Sequence, residues 1–303
     1  METIIKNNCD TIEKVGCNVE QNKSMLEMNN LPLILVDNTC DKNCPYCIAK
    51  DNIFHGRYTV QDDKLSELSD NIGRLGARGI KFRQFILSGN GEPSKYSLQD
   101  LDLITSAIKD NIDMYDKIKV QTSGYIFYEN EKLELMKQKF GKKMFVQIQK
   151  VSLNDEIDMK VLGYNKNYKQ TDAFKKTDDI TLDVALTRVL DVKEFIKELE
   201  PFVEKYPNIT TIRFKTQLAN VFDVYYKSDS PQAKWLNKYG LNIEEAPKFI
   251  DVVYNKYKNR VIGNTKLVTH TRVNNKIARD VCIVGGQYQE YLGCMTNCTM
   301  PLF

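Results

Sequence analysis

The stretch Leu31–Cys47, LPLILVDNTCDKNCPYC, runs from a short β-rich segment directly into three cysteines, Cys40, Cys44 and Cys47, at C-x3-C-x2-C spacing. The chain has only eight cysteines in 303 residues, so three on one loop call for a chemical reason. The N-terminal segment METIIKNNCDTIEK has no apolar h-region, and a signal peptide is not expected. LPLILV is far too short to span a bilayer. The expected location is the cytoplasm, where thiols stay reduced and clustered cysteines are more often metal ligands than disulfides.

Downstream of this stretch, strand and helix signals alternate. Asp62–Gly79 has helical spacing, with Asp62 or Asp63 as N-cap and Gly76 or Gly79 as stop. RQFILSGNGEP reads as a strand running into a glycine turn, and SLQDLDLITSAIKDN as a helix capped by Ser97. KIKVQTSG is a strand, NEKLELMKQKF a helix and KMFVQIQKVSLN a strand, followed by an irregular polar stretch to Asp179. ITLDVALTRVL and ITTIRFKTQL are strands five and six, separated by the helix VKEFIKELEPFVEKY. Six β units joined mostly by helices imply parallel strands with right-handed crossovers. Six is short of the eight in a closed barrel, so the expected fold is α/β, an open partial (βα)6 TIM-type barrel with a small C-terminal extension. The expected division is an N-terminal extension or cap at 1–30, the partial barrel at 31–218 and a C-terminal extension at 219–303. In that extension IEEAPKFIDVVYNKYKN reads as a helix and the tail as short strands. The cysteine loop, SGNGEP and QTSG all fall at strand ends, the rim where chemistry sits in such folds.

Composition excludes little else. Hydrophobic residues make up 42% and charged residues 27%, ordinary for a globular protein. A net charge of +3, carried by 34 Lys and only 9 Arg, supports neither nucleic acid nor an anionic membrane as partner.

Thiolates at this spacing suit zinc or an iron–sulfur cluster. Structural zinc takes four ligands, and His55, eight residues past Cys47, is the candidate fourth. Three thiolates alone instead leave one iron of a 4Fe–4S cluster open for a substrate or cofactor.

The loop resembles the signature of the radical SAM superfamily, C-x3-C-x-aromatic-C after the first barrel strand, with Tyr46 as the aromatic residue. LSGNGEP (Leu87–Pro93) is similar to that family's G-G-E-P turn, with Asn90 inserted between Gly89 and Gly91. QTSG (Gln121–Gly124) resembles its T-N-G segment, and VSLND (Val151–Asp155) its S-L-D segment. ALTRV and IRFKTQL sit where strands five and six belong, so the resemblance covers Leu31 to Leu218.

The resemblance implies an enzyme in which Cys40, Cys44 and Cys47 hold a 4Fe–4S cluster. The open iron would chelate S-adenosylmethionine, and reductive cleavage would give a 5′-deoxyadenosyl radical that abstracts hydrogen from substrate. Tyr46 would lie against the adenine. Gly89, Asn90, Gly91 and Glu92 would face the methionine ammonium, and Ser123, Ser152 and Arg188 the ribose and carboxylate. An electron donor such as flavodoxin or ferredoxin is implied as partner, with a small molecule or nucleotide as substrate. A peptide substrate is the second reading, although no peptide-recognition domain is evident. Each residue also has a plain structural reading: GNGEP as a tight turn, Tyr46 as packing, Ser152 and Arg188 as strand-end polar groups, His55 and His270 as loop or surface histidines.

Cys282, Cys294 and Cys298 have C-x11-C-x3-C spacing, and CIVGGQYQEYLGC between the first two reads as a strand–turn–strand pattern that resembles the auxiliary-cluster extensions of some radical SAM enzymes. They are read as ligands of a second iron–sulfur cluster, as a hydrogen-atom donor, or as ordinary buried thiols. Cys9 and Cys17 are read as structural. The rival class is a zinc-stabilised binding module without catalysis.

Overall fold

The structure, a computed structural model, describes residues 27–35, 40, 42–47, 62–79, 81–89, 92–164, 171, 174–216, 229–242, 245–257, 261–272, 280–284, 287–289 and 300–301. Six strands form as the alternation predicts, with five described α-helices between them. Strand β1 (Glu27–Leu35) is followed by helix α1 (Asp62–Ala77). Then come β2 (Lys81–Gly89), α2 (Leu98–Lys109), β3 (Tyr115–Thr122) and α3 (Asn130–Phe140). β4 (Met144–Lys150), α4 (Asp155–Leu162), β5 (Ile180–Leu186), α5 (Val192–Lys205) and β6 (Ile209–Thr216) complete the series.

Adjacent strands β1 to β6 pair in parallel and in sequence order. After helices α6 (Pro231–Tyr239) and α7 (Glu245–Lys256), the short β7 (Val261–Ile262) turns back into β8 (Thr265–Arg272). β8 then joins β6 in parallel, extending the series of six expected strands by one. Beyond it β9 (Asp280–Val284) and β10 (Gln287–Gln289) continue the sheet antiparallel. β11 (Met300–Pro301) lies beside β1 at the other edge. Among the described residues no pairing joins the two edges, so the barrel is open.

Why the sheet forms is clearest in β5, whose seven residues are all buried. Strands covered on both faces take near-continuous burial. Ile180, Leu182, Val184 and Leu186 enter the main apolar core with Phe195, Leu199 and Val203 of α5. Thr181, Asp183 and Ala185 alternate with them and occupy the other face, because side chains in a strand repeat every two residues.

Local signals set the helix ends. Ser97 caps α2 as expected, accepting from the Asp100 amide at 3.0 Å. The polar stretch after β4, read as irregular, contains α4. Asn154 caps it through the Glu156 amide at 2.9 Å, and Gly163 ends it in the left-handed region at φ +60°. α6 lies in a segment read as a plain connection, with Ser230 as cap and Pro231 in its first turn. Among the described residues no helix is long and apolar enough to cross a membrane.

Candidate functional site at the C-terminal rim

The ends of the parallel strands gather the sequence-selected residues on one rim. Leu35 at the end of β1 pairs with Gly89 at the end of β2, so the last residues of these two strands lie side by side. Asn90 and Gly91 lie outside the described residues. Ser123 follows β3, Ser152 follows β4, and Arg188 follows β5.

Glu92 is the buried carboxylate of this rim, only 2% exposed. It accepts from the Thr122 hydroxyl and the Ser123 amide, and more weakly from the Ser94 amide at 3.5 Å. Burial pushes its carboxyl above the ordinary range, and the hydrogen bonds from Thr122, Ser123 and Ser94 offset part of that rise. Thr122 also receives the Gly124 amide at 3.0 Å. Gly124 sits at φ +100°, a conformation that glycine adopts without steric cost, and it turns QTSG back over Glu92.

Cys40, Cys44 and Cys47 are reduced thiols outside any disulfide, each half-buried. Cys47 N–H donates to the Cys44 carbonyl at 3.2 Å, closing a turn, and Lys42 N–H donates to Cys40 Sγ at 3.5 Å. Burial, with the Glu92 charge adding to it, pushes the Cys40 thiol up to about 12. Metal loading at such a thiol has to displace its proton.

The loop is braced from behind by the β4–α4 unit. Asn43 N–H donates to the carbonyls of Leu162 and Gly163, both at 2.8 Å, and Lys42 forms a bridge with Tyr164. The buried Lys42 ammonium donates to the Gln149 carbonyl at 2.6 Å and lies 4.9 Å above the Tyr164 ring. Beneath it is a buried polar cluster. Lys150 Nζ reaches Asp155 at 2.9 Å and Asp158 at 3.3 Å. Asp158 also accepts from Val151 N–H at 2.6 Å, from Ser152 N–H at 3.4 Å and from the Tyr164 hydroxyl. Sequence reasoning passed over Lys42, Lys150, Asp158 and Tyr164. The one available signal was Lys42, which stands inside the cysteine motif itself.

The remaining candidates have defined places. Tyr46 is buried, and its ring packs on Trp235 of α6 at 5.4 Å, among Val151, Leu162, Ala185 and Leu236. Ser152 is buried and accepts from the Asn154 amide at 3.1 Å. Arg188 is exposed and pairs with Glu245 at 2.7 Å; the Asn242 amide and Arg188 together hold that carboxyl below its ordinary range. Cys282 lies in β9, in register with Gln289 of the antiparallel β10. Cys294, Cys298, His55, Cys9 and Cys17 lie outside the described residues, whereas His270 falls within β8.

Among the described residues no group of three or more His, Cys, Asp or Glu side chains converges tightly enough to hold a metal ion. The donor set nonetheless suits an iron–sulfur cluster in type and number: three soft, reduced thiols on one braced loop.

Neither a family model nor a curated protein matches this sequence. Solved structures resemble it to differing extents. A hexahistidine-tagged anSMEcpe with bound AdoMet superposes with a TM-score of 0.53 at 16% identity, over 81% of this chain and 61% of that one. One of two fungal β-1,4-galactanases gives 0.38 at 9% identity, over 80% and 77% of the two chains. A sugar phosphate isomerase/epimerase from Parabacteroides distasonis gives 0.30 at 10%, over 79% and 89%. The chain therefore spans about 61% of the length of anSMEcpe, and at this identity the likeness establishes a shared parallel α/β barrel architecture.

Proposed function

We propose that the chain is a radical S-adenosylmethionine enzyme, with Cys40, Cys44 and Cys47 holding a 4Fe–4S cluster at the rim of the open barrel. One observation carries the reading: a loop with three reduced thiols follows the first strand of a parallel α/β barrel and is tied to the fourth βα unit through Asn43. The fold likeness to anSMEcpe with bound AdoMet supports the choice of cofactor.

When bound, the cluster supplies the electron that splits the sulfonium of S-adenosylmethionine. The protein's own part is orientation and exclusion of water. Glu92, held by Thr122, Ser123 and Ser94, offers a carboxylate oriented before the ligand arrives, suited to the methionine ammonium. The Gly89–Gly91 turn would let backbone approach the same group. Ser123 and Ser152 stand at the neighbouring strand ends for the ribose hydroxyls. Arg188 would have to leave Glu245 to reach a carboxylate. Tyr46, packed on Trp235, supports the loop from beneath in the described conformation.

A flavodoxin- or ferredoxin-type donor would deliver the electron, and a small molecule or a peptide would be the substrate. Anaerobic reconstitution with iron and sulfide tests the reading. A brown protein with broad absorption near 400 nm and about four irons per chain is expected, or about eight if the C-terminal cysteines hold a second cluster. A colourless protein that takes up one zinc would place it instead among zinc-stabilised binding modules.

A further inference from the structure

Lys42 stands inside the cysteine motif, between Cys40 and Cys44, yet it is buried, only 6% exposed. Its own N–H donates to Cys40 Sγ at 3.5 Å. Its ammonium donates to the Gln149 carbonyl at 2.6 Å and lies 4.9 Å above the Tyr164 ring. Both of these side-chain partners are uncharged. The two aspartates below the loop bond elsewhere: Lys150 reaches Asp155 and Asp158, and Asp158 also accepts from Val151 N–H and the Tyr164 hydroxyl. Among the described residues Lys42 forms no ion pair.

A charge taken out of water is costly unless an opposite charge compensates it. Burial pulls the Lys42 ammonium below its ordinary range. Asp158 favours the charged form, as do Cys44 and Cys40 once they are ionised, while Lys150 opposes them. Cys44 and Tyr164 both border the apolar cluster of Tyr46, Val151, Leu162, Ala185 and Leu236. Charges next to such a cluster interact more strongly than charges in water. The ionised cysteine loop is therefore the compensating charge that the bonded aspartates supply only in part.

We propose that Lys42 is a positioning residue of the cysteine loop, whose fixed ammonium favours the metal-loaded loop and its reduced state. It acts through Cys40 and Cys44 and touches no substrate. Three thiolates keep a net negative charge when loaded with one zinc ion or with an oxidised 4Fe–4S cluster, and reduction of the cluster adds one more. A cation behind them stabilises each of these states, so Lys42 raises both metal affinity and reduction potential. The redox half rests on the enzyme reading above; the affinity half holds for any metal that thiolates bind.

The test compares full-length native protein with Lys42→Gln, which keeps a donor for the Gln149 carbonyl but no charge, and with Lys42→Met, which keeps neither. Thermal melts establish folding, and if one variant does not fold, the other carries both comparisons. Zinc affinity of the metal-free protein is read by competition with a chromophoric chelator. The midpoint potential of the reconstituted protein is read by anaerobic dithionite titration at roughly 400 nm. Both variants should bind zinc about tenfold or more weakly. At a fixed potential their ratio of reduced to oxidised cluster should fall about tenfold, a shift of about 59 mV for one electron. A shift in Lys42→Met with Lys42→Gln at the native values would make the residue a hydrogen-bonded brace and overturn the role of its charge. Native values in both variants would overturn it as well, and would leave the enzyme reading standing. If the native protein takes up zinc but no cluster, the enzyme reading fails instead. Zinc affinity then decides on Lys42 alone, tenfold weakening upholding its role and unchanged affinity ending it.

Discussion

Asn43 and Gly163 are joined by a backbone hydrogen bond of 2.8 Å, which straps the cysteine loop to the end of α4. The strap depends on glycine. Gly163 has φ +60°, and a Cβ placed there would stand 3.0 Å from the Asn43 Cβ. Gly163→Ala should therefore cost about 1–2 kcal/mol in a urea melt, the scale of a left-handed conformation forced on a side chain. It should also reduce the iron retained after reconstitution, because the Asn43 side of the loop must give way. Unchanged iron and stability would mean that the strap does not position the loop.

This strap shows what the sequence did and did not make legible. The strand–helix alternation was readable because β5 and α5 carry their own apolar periods. The three thiols were readable because they are close in sequence. α4 was not read, since DEIDMKVL is short and half polar, although Asn154 before it and Gly163 after it were the proper start and stop signals. The parallel pairing of β8 with β6 could not be read, because register across a sheet leaves no trace within one strand. The same holds for Asp183 and Arg213, which contact each other only once their strands are aligned. Tyr46 was marked for its place in the motif, but its ring partner, Trp235, comes from a distant helix.

The buried cluster below the loop should dominate local stability. Lys150 and Asp158 side chains are both 0% exposed, so truncating one leaves a buried charge under-compensated: Asp158 without its lysine, or Lys150 with Asp155 alone. Lys150→Met or Asp158→Ala should each destabilise by about 3–5 kcal/mol. The exposed pair Lys197–Glu194 on α5 is the control, with its side chains 74% and 57% exposed, and removing it should cost under about 0.5 kcal/mol. Equal costs at the two sites would contradict the bracing role.

Glu92 should give the fold a pH dependence of definite sign. Its carboxyl lies above the ordinary range when folded, so the folded state holds that proton more tightly than the unfolded chain does. The stability it contributes is full below the ordinary carboxylate range and is lost as pH rises through the folded value. Glu92→Gln keeps an acceptor for Thr122 and Ser123 but does not titrate. Stability measured by urea at several pH values should fall less steeply with rising pH in the variant than in the native chain. A steeper fall in the variant would reverse the sign and contradict the buried, raised carboxyl.

The central claim is that the cysteine loop serves S-adenosylmethionine chemistry, and one assay reaches it directly. Native protein and Cys44→Ala, both anaerobically reconstituted with iron and sulfide and reduced with dithionite, are incubated with S-adenosylmethionine, and 5′-deoxyadenosine is quantified. The account predicts product from the native protein and none above background from the variant, since two thiolates hold a cluster poorly. Product at the same rate from both, or from neither, would contradict it.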